Sequence, residues 1–234
     1  MNRFSSVLKW DAVLQWRAGF YYMGFFVTIA WIALLSGVPH ESLKVLLPPF
    51  MLLSLNITTY YFIAGLVLFE KGEGILNGLV VTPLREREYL LSKTVTLTAL
   101  AVVESVLIIL FSYGVEFSVI PLISGMISMS VIYALIGFVM VARYDSINQY
   151  LLPSSLFVGF LQAPWLFYFG IIENPLFYLF PTQGPLLLLK WGFESITQWD
   201  AIYAVGYSLV WIAISYYLAR KAFFRFVVKP QGGG

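Results

Sequence analysis

This sequence predicts an all-α integral membrane domain, and three observations carry that reading. Of the 234 residues, 60% belong to the apolar and aromatic set and only 11% are charged, with a mean hydropathy of +0.83. Soluble domains sit near 25% charged residues, and no soluble fold of this size hides so much apolar surface. Six stretches reach, or nearly reach, the roughly 20 apolar residues that a bilayer-crossing helix needs. Lysine and arginine fall on alternate sides of those stretches in a strongly unequal way. A soluble enzyme and a disordered chain are both excluded.

The six predicted spans are Phe20 to Leu35, Val45 to Phe69, Thr94 to Tyr113, Val119 to Val141, Leu151 to Ile171 and Ala201 to Phe224. The first is the shortest and can be extended backward through Arg17, whose stem can snorkel. With the N-terminus inside, 12 of the 14 basic residues share its side, and Lys44 and Lys190 fall on the other. The rule that positive loops stay inside therefore predicts two cytoplasmic termini in a multi-pass protein of the cell membrane.

Before the first span, Phe4, Val7, Leu8, Trp10, Val13 and Leu14 recur at helical spacing, with Arg3, Lys9, Asp11 and Gln15 between them. This predicts an amphipathic helix lying in the membrane interface rather than a cleavable signal peptide. Asn174 to Trp191 is apolar enough to suggest a seventh span, but Pro175, Pro181, Gly184 and Pro185 cut it into short pieces. We read it as a broken, partly re-entrant segment on the outer face, which requires protein or a wet cavity around it. No repeat or linker divides the chain, so residues 1–234 read as a single transmembrane domain.

Chemistry-bearing motifs are sparse. A net charge of +2 over 14 basic residues makes no nucleic-acid footprint. There are 0 cysteines and 1 histidine, His40, so neither a thiolate nor a histidine metal site can form. The spacing G-x-x-x-x-G-K-[ST] that cradles phosphate is absent, and His40 reads as a solvated loop residue. One acid, Glu104, sits deep in a span; ionisable groups there face a bundle interior or a cavity. Its role is either a structural hydrogen bond to a neighbouring helix or contact with a transported compound. Asn56, Thr58 and Thr59 in the second span and Gln162 in the fifth serve equally well as interhelical glue. Pro164 should kink the fifth span, whose outer half is crowded with Phe157, Phe160, Trp165, Phe167, Tyr168 and Phe169. These rings fit an aromatic belt or the lining of an amphipathic cavity.

The longest inner connection, Glu70 to Lys93, mixes charge with a short apolar stripe: Ile75, Leu76, Leu79 and Val80 lie on one face of a helix that Thr82-Pro83 ends. Such a stripe either rests on the headgroups or docks into a groove on another protein. The run Glu70-Lys71, Gly74-Ile75-Leu76, Leu79, Val81-Thr82-Pro83-Leu84 and Tyr89-Leu90-Leu91-Ser92-Lys93 resembles the signature loop of type-2 ABC transporter permeases. The departures are Lys71 for arginine, Asn77 where glutamate is common, and Ser92 for glycine. The surface helix, the six spans and the broken segment before the last span are similar to that family as well.

The resemblance implies an exporter subunit with no cofactor of its own, ATP and magnesium being bound by a separate ATPase. It implies a coupling helix between spans two and three, in which Glu70, Lys71, Gly74, Ile75, Leu76, Leu79, Thr82 and Pro83 meet that ATPase. It also implies a second permease subunit, alike or different. Substrate-path candidates are Glu104, Asn56 and Gln162. The greasy interior and short outer loops favour export of an amphipathic drug-like compound or a lipid. A polysaccharide exporter of the same family, a lipid-acting membrane enzyme and a channel are the alternatives.

Overall fold

The computed structural model describes residues 3–76 and 86–228. Every regular element among them is helical. Five helical stretches are long and apolar enough to cross a membrane, and a bent pair at the N-terminus makes a sixth. The chain is a multi-pass all-α membrane protein.

Helix α1 (Arg3–Arg17) and helix α2 (Phe20–Leu35) meet at 65°. The hinge is Gly19, whose φ of 83° is a left-handed conformation that costs an L side chain energy. Backward extension of the first span through Arg17 is thus replaced by a sharp turn, and α1 is free to lie across the bundle. Only Gly24, Thr28 and Leu35 of α2 are buried, one narrow face at helical spacing.

The second span runs without interruption from His40 to Gly72, two turns longer than its apolar core. It consists of α3 (His40–Leu55), a π-helical stretch (Asn56–Tyr61) and α4 (Phe62–Gly72). Thr59 Oγ1 donates to the Leu55 carbonyl at 2.5 Å, satisfying backbone where the ladder widens. π turns of this kind cluster at functional positions. His40 opens this span instead of sitting free in a loop: it stacks on Tyr113 with ring centroids 4.6 Å apart.

Helix α5 (Glu86–Ser112) begins two turns before the predicted Thr94, because its amphipathic first turns are anchored by charge rather than by lipid. Helix α6 (Val119–Val141) is the central post, buried along most of its length and packed by α5, the π stretch and the two last helices. Close approach is bought with glycine: a Cβ at Gly137 would lie 2.7 Å from the Tyr60 carbonyl oxygen, and one at Gly125 2.9 Å from the Leu189 nitrogen. Helix α7 (Ile147–Leu161) is interrupted at Gln162 and Ala163, and Pro164 starts the short α8 (Pro164–Tyr168), the two together making one apolar stretch of 22 residues.

The segment read as broken is broken. A 3-10 turn (Pro175–Leu179) is followed by α9 (Gln183–Phe193), too short at 11 residues to cross a bilayer. Gln183 to Leu189 are all buried, chiefly against α6, which supplies the protein surroundings such a segment needs. Thr182 Oγ1 ties it to the α7 end through the Leu161 carbonyl (2.7 Å). The aromatic rings before it pack on this turn, Phe160 on Phe180 and Phe167 on Phe177. Helix α10 (Gln198–Phe223), capped by Thr197, returns to the side of the N-terminal helix.

Candidate functional site

At the end of α4 the chain enters the segment expected to couple to a partner, and its charges turn inward. Glu70 is 3% exposed and Lys93 1%. Lys93 Nζ donates to Glu70 Oε1 at 2.5 Å and to Asp11 Oδ1 at 3.0 Å, while the Tyr89 hydroxyl donates to Glu70 Oε2 at 2.6 Å. One ammonium thus joins the interfacial helix, the second span and the third. A buried cation of this kind is tolerated only when fully paired.

Lys71 also turns back on its own chain. Its Nζ donates to the carbonyls of Ala142 (2.8 Å) and Tyr144 (2.6 Å) and to Asp145 Oδ1 (3.2 Å), tying α4 to the end of α6. Three donors on one ammonium are used by these three acceptors. Glu70 and Lys71, two of the residues expected to meet an ATPase, are thus also internal ties that fix where the segment starts. Gly74 turns the backbone with a φ of 69°. Helix resumes at Ile75 and Leu76. Of this pair, Leu76 is 3% exposed and joins the chain's own core, whereas Ile75 is 39% exposed and faces outward. Leu79, Thr82 and Pro83, together with Asn77 and Arg85, lie outside the described residues. Beyond them, Arg220 Nη2 donates to Glu86 Oε1 at 2.9 Å, pinning α5 to the last helix.

The second cluster lies at mid-span. Glu104 is 4% exposed. Its Oε2 accepts from Thr58 Oγ1 of the π stretch at 2.5 Å, and its Oε1 has no hydrogen-bond partner among the described residues. Gly24 of α2 provides the room for that carboxyl group. Asn56 lies buried two residues before Thr58 with its Nδ2 unpartnered among the described residues. The structure thus brings Glu104 and Thr58 into contact, with Asn56 on the same π turn. Gln162 sits apart at the junction of α7 and α8, both its side-chain polar atoms buried and without a hydrogen-bond partner among the described residues.

On the opposite side of the bundle from α1, a cleft of about 500 Å3 is lined by Tyr178, Trp199, Asp200, Ile202 and Tyr203. Burial, reinforced by the Asp200 charge, holds the Tyr178 hydroxyl above its ordinary pKa. Aromatic faces around a carboxylate form a surface suited to cations.

Sequence reasoning missed Asp11, Gly24, Tyr89 and Lys93 as site residues. Tyr89 and Lys93 stand four apart, so one helix face was predictable. Their meeting with Glu70 and Asp11 was not, because it rests on how three helices cross. No group of three or more His, Asp or Glu residues able to hold a metal occurs among the described residues.

A multi-pass helical bundle with a bent N-terminal helix pair, a charge-locked segment between spans two and three, and a protein-packed broken segment before the last span is the layout that the resemblance to ABC exporter permeases implied. The model of the fluoroquinolones export permease protein family matches residues 2–231, and the chain belongs to that family. Fluoroquinolones export permease proteins from two strains of Mycobacterium tuberculosis are each 33% identical to it over 236 aligned residues, covering 99% of both chains. No solved structure matches the chain.

Proposed function

We propose that this chain is the single-domain membrane subunit through which a separate ATPase drives export of amphipathic, amine-bearing aromatic compounds such as fluoroquinolones. The observation that carries the reading is the full-length likeness to relatives named for fluoroquinolone export. Two features of the site are in keeping with it. A carboxyl group set among three spans offers an anchor to a cationic amine. The aromatic cleft around Asp200 offers a planar cation a second resting place.

On this reading ATP and magnesium bind the ATPase alone, and two permease subunits enclose the path. The bias of basic residues toward one side supports two cytoplasmic termini in a cell-membrane protein. The outward-facing Ile75 and the residues after it receive the ATPase stroke, while Glu70 and Lys71, locked into the bundle, transmit it to α4 and α6. The ATPase moves the segment, and the segment moves the helices.

The test is uptake of a fluorescent fluoroquinolone into inverted vesicles carrying the permease and its ATPase. ATP-dependent accumulation, lost when the ATPase lysine that binds phosphate is replaced, is expected. ATP-dependent movement of a fluorescent phospholipid without movement of the drug would overturn the substrate assignment. Cysteine at Glu73 should label from the cytoplasm and cysteine at Glu194 from outside; both labelling from one side would overturn the orientation.

A further inference from the structure

Helix α1 does not lie flush on α5. Between them runs an open cleft of about 570 Å3. Leu8 and Ala12 of α1 form one wall, and Ala99, Leu100 and Val103 of α5 the other. Lys9 stands at its α1 edge and Tyr21 closes it toward α2. We propose that this cleft seats one phospholipid with an anionic headgroup, its phosphate on Lys9 and an acyl chain laid along α5.

Four features support that occupant. The walls are apolar, and the two alanines leave a channel that larger side chains would fill. From Thr96 to Val103 the cleft follows α5 for seven residues, about 10 Å at 1.5 Å per residue. That is a large part of one leaflet's share of a hydrocarbon core roughly 30 Å thick. Lys9 is exposed and forms no ion pair among the described residues, and no acid lines the cleft. An unpaired lysine on an interfacial helix is suited to an anionic headgroup. Finally, the cleft is held open from behind. Gln15 Nε2 donates to Thr96 Oγ1 at 2.6 Å, and Asp11 accepts from Lys93, so α1 is pinned to α5 without closing on it.

The lipid belongs to the leaflet in which α1 lies, the cytoplasmic one on the orientation proposed above. The seat does not depend on which compound is exported. Because the lipid would rest beside the Asp11–Lys93 contact, its presence would brace the interfacial helix against the third span.

Native mass spectrometry of the full-length permease, purified from an equal mixture of phosphatidylglycerol and phosphatidylcholine, tests the seat. We expect phosphatidylglycerol to be retained about five-fold over phosphatidylcholine, the scale of one lysine at an anionic surface. Lys9→Gln should erase that preference while lipid stays bound. Ala99→Phe, at an exposed position, should fill the channel and remove one bound lipid of either class. Thermal melting unchanged in both variants establishes that they fold. Equal retention of the two lipids by the unmodified protein, or an undiminished preference in both variants, would overturn the proposal. So would loss of fluoroquinolone binding in Ala99→Phe with lipid retention intact, which would make the cleft a substrate path.

Discussion

Gly24 of the first span and Glu104 of the third interlock: a Cβ on Gly24 would lie 1.8 Å from Glu104 Oε1. The missing side chain on one helix is the space for the carboxyl group of the other. The same carboxyl group reaches Thr58 on the π stretch of the second span. Three spans therefore meet on one ionisable group.

Replacing Gly24 by alanine forces Glu104 to swing aside. The clashing atom is the end of a flexible side chain, so the cost is chiefly the Thr58 hydrogen bond, about 1–2 kcal/mol. Gly137 differs, because its neighbour is the Tyr60 backbone carbonyl, which cannot swing. Gly137→Ala should cost about 1–3 kcal/mol through overpacking. Gly206, with nothing within 4 Å, should accept alanine neutrally or with a gain of under about 1 kcal/mol. Thermal melts in detergent should show Gly137→Ala as the most damaging, Gly24→Ala next and Gly206→Ala least; a Gly206→Ala more damaging than Gly137→Ala would refute the packing.

Glu104→Gln separates structure from transport. Glutamine keeps an oxygen to accept from Thr58, so assembly and melting temperature should hold within about 1 kcal/mol. If the carboxyl group anchors a cationic amine, export of amine-bearing compounds should fall at least ten-fold, while export of a neutral analogue stays unchanged. Equal transport of both by the variant would leave Glu104 a helix tie only.

Lys93 is the keystone of the inner network. Lys93→Met strands Glu70 as a buried carboxylate beside the half-buried Asp11, and breaking such a buried pair costs about 3–5 kcal/mol. The companion change Glu70→Gln should recover a large part, because glutamine still accepts from Tyr89 and brings no charge. Melting temperatures of the single and double variants form a cycle. Strict additivity would mean the two side chains do not interact.

The spans were legible because burial in lipid demands apolar length, and length is written residue by residue. The bounds of Phe20–Leu35 and Val119–Val141 need no adjustment. The second and third spans run longer than their apolar cores because His40 and the Glu86–Lys93 turns are held by ring stacking and charge, not by lipid. The broken segment was equally readable, since proline and glycine punctuate it. The site was less so. Glu70 and Lys71 look like solvated loop charges in a sequence, and only the crossing of α4 with α1 and α5 for Glu70, and with the end of α6 for Lys71, turns them inward. The π stretch at Asn56–Tyr61 has no periodic signature either, since it is an insertion into a helix rather than a change of pattern.

Coupling can now be tested at a better position than the apolar stripe alone suggested. Leu76, at the centre of that stripe, packs into the chain's own core, so Leu76→Asp should destabilise the permease itself. Burying an unpaired carboxylate there and losing a leucine contact costs several kcal/mol, enough to deplete the protein from the membrane. Ile75 is its exposed neighbour. If the segment docks in a groove of the ATPase, Ile75→Asp removes an apolar contact of about 1.5–3 kcal/mol and adds a charge where none fits. Its melting temperature should match the unmodified protein, while drug-stimulated ATP hydrolysis by the reconstituted complex falls to the basal rate. Ile75→Leu, which keeps the apolar bulk, should retain stimulation. Full stimulation in Ile75→Asp would place the ATPase contact elsewhere on the chain and leave this segment a structural brace.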